Sequence, residues 1–141
     1  MKDIGKQESS IEIESILMLE SSFSRQTNVI FDTDQIESHT HLNVDIKAPS
    51  ENTRVVILTL QHTQQVTETR LEQVKVMVKQ VGVFNQKTAS ELDFDQFAKI
   101  NAPAIMLPYI REMITNMSIR ASISPIYIDP VNFVNLASNN P

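Results

Sequence analysis

The chain has 141 residues, a length typical of one domain, and carries a net charge of −5 with no cysteine and only two glycines, Gly5 and Gly82. Without cysteine there is no disulfide framework, no thiol chemistry and no cysteine-based zinc site. Two glycines cannot build the loops that cradle phosphates in P-loop or dinucleotide folds, and an acidic chain opposes nucleic acid while favouring basic or mixed-charge partners.

Residues 1–10 are polar and are expected to be a disordered N-terminal segment ahead of a domain at 11–137, with 138–141 as a short tail. Behind Met1-Lys2-Asp3 no apolar signal region follows, and the longest apolar runs fall far short of the ~20 residues that span a bilayer. The expectation is a cytoplasmic protein that inserts into no membrane. Ile11 to Arg25 reads as a strand, with Ile11, Ile13, Leu17, Leu19 and Phe23 on one face. Its other face is polar at both ends but carries Ile16 and Met18 in the middle. Residues 26–36 form a loop that is long for a hairpin and holds the apolar triplet Val29-Ile30-Phe31. Ser38 to Lys47 alternates, with Leu42, Val44 and Ile46 opposite His39, His41, Asn43 and Asp45. Residues 48–52 read as a turn. Thr53 to Gln64 is a strand apolar on both faces. Arg70 to Phe84 is a fourth strand, with Val74, Val76 and Val78 opposite Lys75, Met77 and Lys79.

The period then changes. Asp93 suits a helix cap, and Ile105, Pro108, Tyr109, Met113 and Met117 mark a helix face that ends near Arg120, with Pro108 expected to kink it or displace its start. Pro125 and Pro130 bracket an extended Ile126-Tyr127-Ile128, and Val131 to Ala137 suits a last turn or two of helix. Strands first and helices after give an α+β domain: a four-stranded antiparallel sheet, with a crossover after the first strand, packed by a long helix. One helix leaves one sheet face open, and self-association or a bound polypeptide would cover it.

Chemistry is sparse. His39, His41 and Asp45 share a strand face that suits a metal, but the simpler reading is the solvent side of an amphipathic strand, and no metal or cofactor is expected. Asp93 and Asp95 fit a helix start better than a paired-carboxylate site. No nucleophile motif stands out, so the chain reads as a binder of polypeptides and not as an enzyme. The six methionines suit adaptable apolar contacts, though Met106 and Met113 read better as core filling.

One stretch is more specific. Asn101-Ala102-Pro103-Ala104-Ile105-Met106-Leu107-Pro108-Tyr109-Ile110-Arg111-Glu112, followed by Pro130-Val131-Asn132-Phe133, resembles the SecB family of protein-export chaperones. Val81-Gly82-Val83-Phe84 and the opening Ile11-Glu12-Ile13 to Phe23 resemble it too. The resemblance implies a homotetramer, a dimer of dimers. It implies an ATP-independent chaperone that holds unfolded or slow-folding preproteins for handover to the SecA motor. It places a client groove at Val29, Ile30, Phe31 and Ile36, with Leu42, Val44, Ile126, Ile128 and Phe133 as further positions. It places SecA docking on Glu20. Ser24 and Met77 stand where further docking acids are expected, with Lys75 and Lys79 beside the latter, and the residues after Phe133 suffice for only a stub of the family's last helix. These departures keep an alternative open, a SecB-like chaperone dedicated to one client such as an antitoxin. A small-molecule binder or enzyme is the third reading, opposed by the missing motifs.

Overall fold

A computed structural model of the chain describes residues 10–88 and 92–139. The segment expected to be disordered therefore lies outside the described residues except for Ser10, as do the last two positions of the tail. The elements are β1 (Ile11–Arg25), a 3-10 turn (Thr33–Gln35), β2 (Ile36–Ser50), β3 (Thr53–Val66), β4 (Glu72–Gln86), α1 (Phe94–Gln96), a π-helical turn (Phe97–Asn101), α2 (Ala102–Arg120) and α3 (Phe133–Asn139).

The strands form one antiparallel sheet in the order β1-β4-β3-β2. β1 and β2 are opposite edges, so residues 26–35 must travel the width of the sheet. Alternation sets the faces of the inner strands. Val56, Leu58 and Leu60 of β3 and Val74, Val76 and Val78 of β4 are buried beneath α2, while Lys75 and Lys79 point to the other side. The expected turn at 48–52 is shorter, since β2 runs on through Ala48 and Pro49 to Ser50 with a shift of register after Lys47. Proline is tolerated there because β2 is an edge and that register shift has already broken the ladder.

β1 departs from its apparent period. The register slips between Ile13 and Ser15 and again between Met18 and Glu20, so Glu14 and Leu19 are extra residues in two bulges. Each bulge advances the alternation by one. Ile13 lies opposite Phe84, Ile16 opposite Gly82, Met18 opposite Gln80 and Phe23 opposite Val76, all on the helix side. Leu17 instead lies opposite Val81 on the outer side, with Glu20 and Ser22. The expected single stripe of odd-numbered residues is thus corrected, and Ile16 and Met18 belong to the inner face.

The helical region is continuous from Phe94 to Arg120. The Asp93 carboxylate accepts from Asp95 N at 3.0 Å and Gln96 N at 3.3 Å. Arg54 of β3 donates from Nε to Asp95 at 2.8 Å and stacks its guanidinium 4.8 Å from the centre of the Phe94 ring, fixing this end to the sheet. The wide π turn precedes Pro103, which has no N–H to give the preceding turn, and Ala102 N–H reaches back to the Phe97 carbonyl. Pro108 does not end the helix. It lies on the exposed side together with Ala104, so the carbonyl that lacks its donor faces water. The core stripe is Met106, Ile110, Ile114 and Ser118, one position on from the expected Ile105, Tyr109, Met113 and Met117, which lie along its margin and are half-buried or exposed. Met106 is core, and Met113 packs at its border. At the closest approach of sheet and helix stands Gly82, where an added Cβ would lie 2.7 Å from Phe84 Cε2 and 2.9 Å from Met106 Sδ.

Candidate functional site

Two segments without regular structure stand on the helix side of β2, and side chains hold both. The first is the loop after β1. Arg25 Nε and Nη2 donate to Gln26 O at 2.8 Å and Thr27 O at 2.9 Å, and its Nη1 donates to the carbonyl of Ala121 at the end of α2. One guanidinium thus joins the loop to the helix. Further along, the amide of Gln73, a β4 side chain 2 % exposed, clamps Ile30 from both directions. Ile30 N donates to Gln73 Oε1 at 3.0 Å, and Gln73 Nε2 donates to Ile30 O at 2.9 Å. The clamp replaces the strand neighbour that Ile30 lacks. Asp32 then caps the 3-10 turn through Asp34 N, 3.1 Å, and the chain enters β2.

The second segment is the strap between α2 and α3. Ser122 takes a positive φ of 56° just past the helix end and turns the chain back. The buried hydroxyl of Ser118 accepts from Ile126 N at 3.0 Å, and Thr115 Oγ1 donates to Ile126 O at 2.7 Å. Ile126 is therefore held as Ile30 is, by side chains that satisfy both of its backbone groups. Ile126 and Ile128 point inward, each 4 % exposed, and Tyr127 between them points out at 75 %.

Between these segments and the sheet lie two clefts. One, of about 200 Å³, is lined by Val29, Ile30, Phe31 and Ile36 with Ile123 and Gln73. The other, of about 720 Å³, is lined by Leu42, Ile126, Ile128, Val131 and Leu136 with Thr40, His41, His62 and Asp129. Ser38, Gln64 and Pro125 line both, which makes the two clefts one groove. Phe31 and Ile30 are 55 % and 39 % exposed, so the apolar end at the loop is open to a ligand. His62, on the floor, is 5 % exposed and bonded through Nδ1 to Thr40 Oγ1 at 2.8 Å. Burial, and secondarily the charge of His39, push its pKa below the ordinary value, which favours the neutral ring.

Of the nine groove positions expected from sequence, seven line this groove. Val44 is half-buried against the core and Phe133, 4 % exposed, is part of it, so neither lines the clefts. Sequence reasoning missed Gln73, Thr115 and Ser118. A lone Gln in a strand and hydroxyls in a helix give no sign of the distant backbone groups they bond. It also missed Ser38, Thr40 and Gln64, although their inward position follows from the alternation that placed Leu42.

Elsewhere, Glu20 is exposed on the outer sheet face, in register with Lys79 and one row from Met77, with Lys75 beyond. His39 is exposed at the far edge of that face, and His41, also exposed, reaches the rim of the larger cleft from the same edge strand. Met18 and Tyr109 on the inner side, with Leu17 beside them on the β1 edge, each about half exposed, border a third cleft of about 380 Å³ between β1 and α2. Gln80 lines it, and its buried Oε1 has no hydrogen-bond partner among the described residues. No helix among the described residues is long and apolar enough to cross a membrane.

The model of a family described as "Preprotein translocase subunit SecB" matches residues 5–140. Curated relatives are named "Protein-export protein SecB". That of Dechloromonas aromatica is 28 % identical over 74 % of this chain and 68 % of its own length. That of Legionella pneumophila (strain Corby) is 33 % identical over 65 % and 56 %. That of Stenotrophomonas maltophilia is 26 % identical over 88 % and 72 %. The chain thus spans from 56 % to 72 % of these relatives' lengths. Among solved structures, a SecB-like chaperone of Mycobacterium tuberculosis, in complex with a ChAD peptide from the HigA1 antitoxin, superposes with a TM-score of 0.71. It is 14 % identical, with 87 % of this chain and 91 % of that chain covered.

Proposed function

The chain belongs to the SecB family of chaperones, and from that premise we propose that it is an ATP-independent cytoplasmic chaperone that holds unfolded or slow-folding preproteins for handover to the SecA motor. The observation that carries this reading is the joined groove. Open apolar side chains at Ile30 and Phe31 meet an apolar strap at Ile126 and Ile128, with Ser38, Gln64 and Pro125 common to both halves. Extended chain offers apolar side chains and free backbone groups, and such a groove accepts both without reading a strict sequence. Val44 and Phe133 act here as support for the walls.

A homotetramer, built as a dimer of dimers, is part of the proposal. It is supported by the half-exposed Leu17, Met18 and Tyr109 around a cleft lined by Gln80, whose Oε1 has no partner among the described residues. Docking of SecA is assigned to Glu20. One observation favours the second reading, a chaperone dedicated to a single client: Lys79 stands in register with Glu20, and Lys75 shares that face, where an acid-seeking partner meets repulsion.

The test is binding to a chemically unfolded, slow-refolding protein, with the native form as control. Capture of the unfolded form alone, without nucleotide and weakened by Phe31→Ala, is the expected result. Failure to bind several unfolded proteins removes the general chaperone. That failure leaves the dedicated reading, whereas capture of unfolded protein without any binding to SecA keeps the general chaperone and removes the handover.

A further inference from the structure

The groove is not apolar along its length. On the inner face of the sheet the paired rows run Ile36–Val66, Ser38–Gln64, Thr40–His62 and Leu42–Leu60. Two apolar rows enclose two polar ones; Ser38–Gln64 lies where the two clefts meet, and Thr40–His62 lines the larger cleft beside it. Ser38 and Thr40 are exposed and Gln64 is half-buried, so this band faces the groove and is not sealed under the strap.

The band is ordered. Gln64 Nε2 lies 3.3 Å from His62 Nε2 and Thr40 Oγ1 lies 2.8 Å from His62 Nδ1, so both ring nitrogens have a partner, and in the neutral ring one donates and the other accepts. In either tautomer the Thr40 hydroxyl keeps hydrogen-bonding capacity that the ring does not use. Gln64 keeps Oε1 as an acceptor, and the Ser38 hydroxyl makes no hydrogen bond within the described residues. Two hydroxyls and an amide with hydrogen-bonding capacity to spare thus line the groove side by side. An apolar residue laid over them would strip their water and return nothing, at a cost that grows with burial.

Resting on the groove reading above, we propose that this chain selects extended segments with two apolar anchors separated by hydrogen-bonding residues. The spacing follows from β geometry. Ile36 and Leu42 are six residues apart on one strand, about 20 Å at ~3.3 Å per residue. An extended ligand lying along β2 meets both ends with apolar residues six positions apart. The residues two and four positions after the first anchor face Ser38–Gln64 and Thr40–His62. The favoured pattern is apolar-x-polar-x-polar-x-apolar, with Ser, Thr, Asn or Gln at the inner places. A continuous apolar stretch, which fits an unbroken greasy groove best, is disfavoured here.

The test uses the full chain and two labelled peptides of equal length. Both carry Leu at the first and seventh positions of the pattern; one has Ser and Asn at the third and fifth, the other Leu at both. Fluorescence anisotropy is expected to give a Kd about tenfold lower for the first peptide, the discrimination expected when buried polar groups find or lose partners. Thr40→Val, at an exposed position, is expected to cut that ratio to about threefold or less, and Thr40→Val with His62→Leu to reverse it. Equal affinities, or tighter binding of the all-Leu peptide by the unaltered chain, would overturn the selection while leaving the groove in place. If neither peptide binds, or if Phe31→Ala weakens neither, the groove reading itself fails, and the selection with it.

Discussion

The Gln73 clamp is the point at which the loop wall can be released without changing any of its apolar side chains. Gln73→Leu keeps the volume of a side chain that is 2 % exposed but breaks both bonds to Ile30, 3.0 and 2.9 Å long. Two neutral hydrogen bonds contribute about 1–3 kcal/mol net. Ile30 is 39 % exposed, so its freed backbone groups recover water, and leucine no longer buries an amide. The global loss therefore falls at the low end, about 1 kcal/mol in a denaturant titration. The local effect is larger in proportion, because the clamp holds a segment with no strand partner. Amide hydrogen exchange at Ile30 should quicken about tenfold relative to amides in β3, which corresponds to about 1.4 kcal/mol of lost local protection. Binding of unfolded protein should weaken with it. Unchanged protection at Ile30 in a folded Gln73→Leu protein would refute the idea that this amide holds the wall.

The strap offers the matching experiment, since Ser118→Ala removes the acceptor of the buried Ile126 N–H and should cost about 1–3 kcal/mol by thermal or chemical unfolding, while an exposed serine such as Ser22 changed to Ala should cost less than ~0.5 kcal/mol. Gly82→Ala drives a methyl into Phe84 and Met106 and should destabilise by about 1–3 kcal/mol; relief by a second change, Met106→Ala, measured in a double-mutant cycle, checks that the clash is the cause. For His62 the folded pKa lies below the unfolded value, so the unfolded chain binds the extra proton. The residue is therefore without penalty above the ordinary histidine value of ~6.5 and costs stability progressively as pH falls below it. Unfolding midpoints from pH 8 to pH 5 should drop less for His62→Gln than for the unaltered chain, and parallel curves would contradict the shift.

Much of the sheet can be read from its residues because the inner strands alternate without interruption. Val74, Val76 and Val78 against Lys75 and Lys79 fix the faces of β4, and Leu42, Val44 and Ile46 fix those of β2. β1 cannot be read that way. A bulge costs one residue and leaves no mark in composition, so Ile16 and Met18 look like an apolar intrusion on a polar face until the register is known. In α2 the ambiguity is of another kind. Two neighbouring stripes are apolar, one through Ile105 and Tyr109 and one through Met106 and Ile110, and only packing decides which faces the sheet. The loop end of the groove was legible because Val29, Ile30 and Phe31 are conspicuous in a loop, while Ile36, Leu42, Ile126 and Ile128 came from the family resemblance. The polar floor and the clamps were not legible, since Gln73 to Ile30 and Ser118 to Ile126 are pairings of tertiary structure that no local pattern encodes.

The two bulges of β1 also bear on how this chain tolerates change in length. Losing one residue from a regular strand turns every side chain beyond it to the wrong face. At Glu14 and Leu19 the opposite holds. Ile13 and Ser15 already face consecutive partners, Phe84 and Val83, as do Met18 and Glu20 with Gln80 and Lys79. Removing either extra residue lets the strand close up with all its neighbours kept. β1 therefore carries two built-in expansion joints, and one-residue gaps among related chains should collect at these two places, leaving the stretches between them uninterrupted.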